Sequence, residues 1–202
     1  MLQKNSLLAT LPTLAKEWRI SFDLKPKSYN NGFAQVLQLT IGGKATNIGD
    51  RTPALWMYKK SGVIKVVIAT TLNGKVSVAK FLEKTSPVIN QWTSVEIGQE
   101  RKGSDYIFSL VMRGVTLWSA KNTKPQEFSK VKVFASSDWY VAQSGYIRGL
   151  KIENKIQGII PHVFNFATPL HHLALKITQK LSKYAFSIDA NKYTSLKVHN
   201  RR

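Results

Sequence analysis

The chain contains no cysteine, and its four histidines all lie beyond residue 160. Without cysteine there is no disulfide, no thiolate metal site and no thiol nucleophile. A chain of 202 residues with 43% hydrophobic content can still bury a core without such staples. That length suits one globular domain plus an appendage. The long stretch from Trp18 to Ile152 lacks both histidine and cysteine. It therefore holds no Ser-His-Asp or Cys-His catalytic set of its own.

Acidic residues are also scarce. There are 11 Asp and Glu against 30 Lys and Arg, a formal net charge of +19. Residues 1–152 hold 22 basic and 9 acidic side chains, and residues 153–202 hold 8 and 2. Such a surface favours polyanions: acidic glycans, anionic lipid headgroups or nucleic acid. The charge is diffuse, with no zinc-finger spacing, recognition-helix pattern or Gly-rich aromatic RNA motif, which argues against nucleic acid. Asp50 and Asp138 sit in loops, but so few carboxylates in a positive field argue against a tight calcium site. No metal or cofactor is expected. No apolar run reaches 18 residues, the length of a membrane-spanning helix. The apolar patch within Met1–Leu11 is too short and broken to read as a signal peptide.

What is present is alternation. Trp18, Ile20, Phe22 and Leu24 alternate with Arg19, Ser21, Asp23 and Lys25, the period of a half-buried strand. Leu11 to Leu14 reads as an extended lead-in before it. Further strands follow at Phe33–Ile41, Ala54–Tyr58, Val63–Thr71 and Val76–Leu82. Asn73-Gly74 marks a tight hairpin, since its turn needs positive φ at both central residues. After Asn90-Gln91-Trp92, the residues Thr93, Val95, Ile97 and Gln99 share one face. Tyr106, Phe108, Leu110 and Met112 follow, then Val115–Ser119, then Val131, Val133 and Ala135. Ile147 is out of phase with Leu150 and Ile152, and a bulge at Gly149 would bring all three to the core. About ten strands at this spacing predict two antiparallel sheets packed face to face.

The tail from Glu153 changes character. Leu170, Leu173, Ile177, Leu181 and Tyr184 recur at steps of three and four, predicting a short amphipathic helix over about 169–186. Thr168 can serve as its N-cap, with Pro169 at the first helical position. Lys176, Lys180 and Lys183 beside the apolar stripe would allow peripheral contact with a membrane. The pair His171-His172 points about 100° apart on such a helix, which favours packed or solvated rings over a shared metal. The organisation is thus 1–152 as the β-sandwich and 153–202 as a basic extension.

Three segments carry a family resemblance: Lys16 to Phe22, Gln91 to Ile97 and Gly145 to Ile152. They resemble the concanavalin A-like, laminin G-like sandwich. Gly49-Asp50-Arg51-Thr52-Pro53-Ala54 and the run from Ser137-Asp138-Trp139-Tyr140 through Arg148 resemble secreted domains common in corals, sea anemones and hydroids. The second run has one residue fewer between Asp and Trp than those domains carry. The resemblance covers about residues 7–152. It implies a jelly-roll sandwich, extracellular placement, and carbohydrate or matrix binding rather than catalysis.

Some glucanases resembling this fold carry Glu-x-Asp-x-Glu on one strand, because glycoside hydrolysis needs carboxylates across the sugar. Here the run is Glu96-Ile97-Gly98-Gln99-Glu100. The central acid, which orients the nucleophile and tunes its partner, is Gly98. The expectation is no enzyme, with Glu96 and Glu100 facing water. Trp139 and Tyr140 in a loop are either a ligand platform or a plug on the sandwich edge. Lys59-Lys60 after Trp56 and Tyr58 is a second aromatic–basic run. Arg51 and Arg148 either contact ligand or bond loop carbonyls. Asp50, Arg51, Trp139, Tyr140 and Arg148 are the candidate ligand-binding residues. The expected function is lectin-like binding of an acidic glycan. The alternatives are a structural or adhesion module that binds another protein, and a glycoside hydrolase with a degenerate site.

Overall fold

A computed structural model describes residues 1–42, 46–83, 85–155 and 162–166. Those residues form thirteen strands and no helix. In chain order they are β1 (Ser6–Leu14), β2 (Glu17–Pro26), β3 (Gly32–Thr40), β4 (Ala54–Lys60), β5 (Val63–Leu72), β6 (Lys75–Glu83) and β7 (Thr93–Lys102). Then come β8 (Asp105–Met112), β9 (Val115–Asn122), β10 (Phe128–Ser136), β11 (Val141–Ala142), β12 (Gly145–Lys155) and β13 (His162–Phe166). One sheet has the order β1-β10-β3-β4-β5-β6, with β11 added parallel to β3. The other has the order β13-β12-β2-β7-β8-β9. This is the all-β, two-sheet sandwich that the alternation predicts, in the jelly-roll form that the resemblance implies.

The core lies between the sheets. In β2 every second residue from Trp18 to Leu24 is buried, and the residues between them face out. Val95 and Ile97 of β7, Phe108 and Leu110 of β8, and Val131 and Val133 of β10 meet them there. Burial of each such side chain contributes about 1.5–3 kcal/mol before entropy is subtracted. Ile147, Leu150 and Ile152 all reach this core, and the β2–β12 register shifts between Arg148 and Lys151. Gly149 sits inside that bulge at φ 60°, a conformation that costs glycine little. Asn73 and Gly74 turn at φ 56° and 73°, as the tight hairpin requires.

Buried amides lace the sandwich edges. Asn154 accepts from the Ala15 amide at 2.7 Å and donates to the Thr13 carbonyl at 2.8 Å, tying β12 to the end of β1. Asn122 donates to Gln99 at 2.7 Å and accepts from the Asn73 amide at 2.9 Å. These bonds satisfy groups whose burial would otherwise cost free energy.

Three local readings change. The lead-in is a full strand, β1, and it forms an edge of the larger sheet. Its burial alternates poorly because an edge strand is only half covered. Ile41, expected as the last residue of the strand from Phe33, lies beyond the end of β3 and is exposed. The second sheet also continues past Ile152, since β12 runs to Lys155 and β13 pairs along it. The helix expected over about 169–186, and with it His171 and His172, lies outside the described residues.

Candidate functional site

The five candidate residues fall on two different sheets. Asp50, Arg51, Trp139 and Tyr140 gather outside the seven-stranded sheet. Arg148 lies outside the six-stranded one.

On the larger sheet the register sets outward-facing side chains in rows. Phe33 stands opposite Tyr58, and Tyr58 opposite Lys65; Gln35 stands opposite Trp56, and Trp56 opposite Val67. Tyr140 closes over this surface, with ring centres 5.7 Å from Phe33 and 5.6 Å from Trp56. The Arg51 guanidinium lies 5.4 Å from the Trp56 ring and 5.9 Å from the Trp139 ring, and donates to Ser77 of β6 at 3.1 Å. Asp50 is buried, and its Oδ2 accepts from the Thr46 and Asn47 amides at 3.0 and 2.8 Å. The two loops are joined by a buried chain of amides. Gln38 donates to the Asp50 carbonyl at 3.1 Å, and Gln35 donates to Gln38 at 2.6 Å. Gln35 in turn accepts from the Ser137 amide and hydroxyl at 2.8 and 2.7 Å. Tyr140 is packed as a plug, and Trp139 and Arg51 are stacked rather than displayed.

The smaller sheet offers an open cleft with charged and hydroxyl side chains on its walls. The outward positions of β2, β7 and β12 align Arg148 with Asp23 and Asp23 with Ser94, and Ser21 with Glu96. A cavity of about 330 Å3 lies among Ser21, Asp23, Ser94, Glu96, Arg148 and Gly114. Arg148 Nε pairs with Asp23 Oδ2 at 3.0 Å, and its guanidinium stacks 4.1 Å from the ring centre of Trp92. Trp92 is 38% exposed, unlike the buried Trp18 and Trp56. Lys25 approaches the same ring at 5.8 Å. Asp23 and Trp92 together fix the arginine's direction. The terminal amino groups of Arg148 make no hydrogen bond among the described residues. A guanidinium held in this way is a planar donor for carboxylate or sulfate.

Farther along the same sheet are the two glutamates. Glu96 and Glu100 face outward from β7, as expected, while Val95, Ile97 and Gln99 face the core. Arg19 stands opposite Gly98 in the register. It pairs with Glu96 at 3.7 Å and donates a close hydrogen bond to Glu100. That bond, with the positive charge behind it, holds the Glu100 carboxyl below the usual carboxylate range against the opposing effect of burial. It also raises Arg19. Ion pairs gather on this sheet: Lys151 with Glu153 at 2.6 Å and Lys121 with Asp105 at 2.8 Å add to those of Arg19 and Arg148. Among the described residues no group of three or more His, Asp or Glu is placed to hold a metal ion. No helix there is long and apolar enough to cross a membrane.

Trp92, Asp23, Ser21 and Ser94 are not singled out by sequence reasoning. Trp92 reads there as the opening of a strand, and its proximity to Arg148 depends on the β2–β7 and β2–β12 registers. The available signal is an aromatic residue just outside a strand, at a position with no core partner.

No family model matches the chain, and no curated protein matches it. The narrower resemblance to the domains of corals, sea anemones and hydroids thus finds no support. Solved structures do show similar folds. Tailspike protein 2 of an Escherichia coli O157:H7 bacteriophage is 12% identical with a TM-score of 0.49, over 72% of this chain and 21% of that one. A sialidase carbohydrate-binding module of Ruminococcus gnavus, solved with α2,3-sialyllactose, is 15% identical with a TM-score of 0.43, over 65% and 71%. Sheep galectin-11, solved with glycerol, is 9% identical with a TM-score of 0.40, over 75% and 99%. The chain spans about a fifth of the tailspike and about half of an Alteromonas alginate lyase that it also resembles. At these identities and scores the likeness is one of overall β architecture.

Proposed function

We propose that the protein is a non-catalytic carbohydrate-binding module that takes an acidic glycan in the Arg148 cleft. One observation carries this reading: Arg148 is held between Asp23 and Trp92, its terminal amino groups without a hydrogen bond among the described residues, at the wall of a cleft that also presents Ser21, Ser94 and Glu96. The guanidinium would take the carboxylate or sulfate in two parallel hydrogen bonds. The serine hydroxyls would meet sugar hydroxyls, since serine can both donate and accept. The exposed part of Trp92 gives the apolar face of a sugar ring a surface to lie on.

The non-catalytic part rests on Arg19. It engages both glutamates that a hydrolase would need free, and no acid stands between them at Gly98. The test is a panel of sulfated, uronic, sialylated and neutral oligosaccharides at rising salt. Binding of the acidic members, weakening with salt as screening predicts, supports the reading. Equal binding of neutral and acidic members, or release of reducing sugar, rejects it.

A further inference from the structure

One end of the sandwich differs in kind from the other. The register places the end of β2 beside the start of β7, the end of β8 and the start of β12: Leu24 pairs with Thr93, Val95 with Met112, and Pro26 with Gly145. The β4–β5 turn belongs to the same end, because Gly32 at the start of β3 pairs with Lys59. Tyr29, between β2 and β3, donates to the Pro87 carbonyl and so brings the β6–β7 loop there as well.

This end carries large apolar side chains that are about half exposed. Val63 follows the β4–β5 turn, Val88 and Ile89 lie in the β6–β7 loop, and Trp92 closes that loop. Val115 follows the β8–β9 turn, and Val141 lies in β11. Their exposure runs from 38% at Trp92 to 61% at Val115. At the opposite end, with its Asn73-Gly74 and Lys102–Asp105 turns, Ile41 is the one large exposed apolar side chain among the described residues. Scattered exposed apolar residues are ordinary, but a set crowded onto loop tips at one end is not.

Cations surround these tips. Lys25, Lys27, Lys59, Lys60, Arg113 and Arg148 all lie at this end. Lys27 sits 5.2 Å over the Tyr146 ring, and Lys25 and Arg148 approach Trp92. Of the nearby acids, Asp23 is paired with Arg148, and Glu83 with Lys65 at 2.5 Å.

We propose that this end docks on an anionic phospholipid surface, with the apolar loop tips entering the headgroup boundary and the surrounding cations on the phosphates. The two features together select that occupant. A second copy of the chain would bring one positive ring against another. A soluble polyanion would meet the cations but give Val88 and Ile89 nothing apolar to enter. An anionic bilayer supplies both, and binding to it adds buried apolar area to electrostatic attraction. The inference shares Trp92 and Arg148 with the glycan cleft but needs no carbohydrate.

The experiment uses the full chain and vesicles free of carbohydrate, either phosphatidylcholine alone or phosphatidylcholine with phosphatidylserine. The wild type should sediment with the mixed vesicles and stay in solution with the neutral ones. Val88→Asp with Ile89→Asp should weaken binding about tenfold or more, the effect of losing insertion of one or two such side chains. Lys27→Glu with Lys60→Glu should weaken it similarly. Lys75→Glu with Lys102→Glu, at the opposite end, should leave it within about twofold of wild type, small beside the tenfold per 1.4 kcal/mol at stake elsewhere. All these positions are exposed or half-exposed, and an unchanged melting temperature confirms that each variant is folded. The proposal fails if the wild type ignores the mixed vesicles. It fails equally if the Val88 and Ile89 variant binds like wild type, which would reduce the attraction to charge alone, or if the opposite-end pair matters as much. Retained binding of acidic oligosaccharides in the Val88 and Ile89 variant would separate this failure from failure of the glycan reading.

Discussion

Arg19 stands directly across from Gly98 in the β2–β7 register, and its guanidinium engages Glu96 and Glu100 on either side of that glycine. A cation thus spans the space where a sandwich hydrolase with a Glu-x-Asp-x-Glu strand carries its middle acid. The carboxylates are spent on an ion pair within the sheet.

The first prediction concerns catalysis. The proposed non-catalytic reading predicts no β-glucan hydrolysis by the wild type, by Glu96→Gln or by Glu100→Gln. A reducing-sugar assay on wild type and both variants checks this. Any wild-type turnover lost in either variant would contradict it.

The second concerns pH. Glu100 is held below its ordinary value, chiefly by the hydrogen bond from Arg19. A carboxylate with a lowered folded-state pKa stabilises the fold above its unfolded pKa and loses that contribution as pH falls through the folded value. Glu100→Gln should therefore cost a little at neutral pH, within the roughly 0–1 kcal/mol of a solvent-exposed ion pair. The difference from wild type should vanish in acid. Melting curves from neutral pH down to strongly acidic buffer measure it.

The third concerns the missing acid. A Cβ at position 98 would lie 3.1 Å from the Trp18 carbonyl oxygen, which is backbone in a paired strand and cannot swing aside. Gly98→Asp should destabilise by about 1–3 kcal/mol, as overpacking does, and should create no hydrolase. Denaturant unfolding together with the reducing-sugar assay tests both halves.

The fourth concerns the loop link. Gln35→Ala removes the acceptor of the Ser137 amide and hydroxyl and the donor to Gln38. Orphaned buried groups cost about 1–3 kcal/mol each. The variant should melt lower, and emission from Trp139, stacked on Arg51 beyond Ser137, should shift as its loop loosens. Acidic-glycan binding should persist, since the Arg148 cleft is on the other sheet.

Much of the fold is legible in the sequence because its signals are local. Period-2 alternation places Trp18, Ile20, Phe22 and Leu24 inside, and Asn73-Gly74 announces its hairpin. Even the Gly149 bulge shows, because Ile147 falls out of phase with Leu150 and Ile152. β1 hides because an edge strand needs little alternation. β11 hides because two residues have no period. The site is harder to read because it is made by register. Arg148 is a recognisable candidate, yet its neighbours Asp23 and Trp92 come from β2 and the lead into β7, and only strand pairing brings the three together. Arg51 and Trp139 likewise meet across two loops, and what joins them is the buried Gln38–Gln35–Ser137 chain, which no local pattern announces.

On the proposed reading, Arg148 recognises the charged group of an acidic glycan. Calorimetric titration of the tightest-binding acidic oligosaccharide into wild type, Arg148→Lys and Arg148→Gln tests it most directly. A hydrogen bond to a charged group is worth about 1.5–3 kcal/mol, so Arg148→Gln should weaken binding roughly ten- to hundredfold. Arg148→Lys should fall between, since a point charge replaces the planar fork. Melting temperatures should barely move, because the Arg148–Asp23 pair is exposed. Wild-type affinity in a folded Arg148→Gln protein would contradict the account.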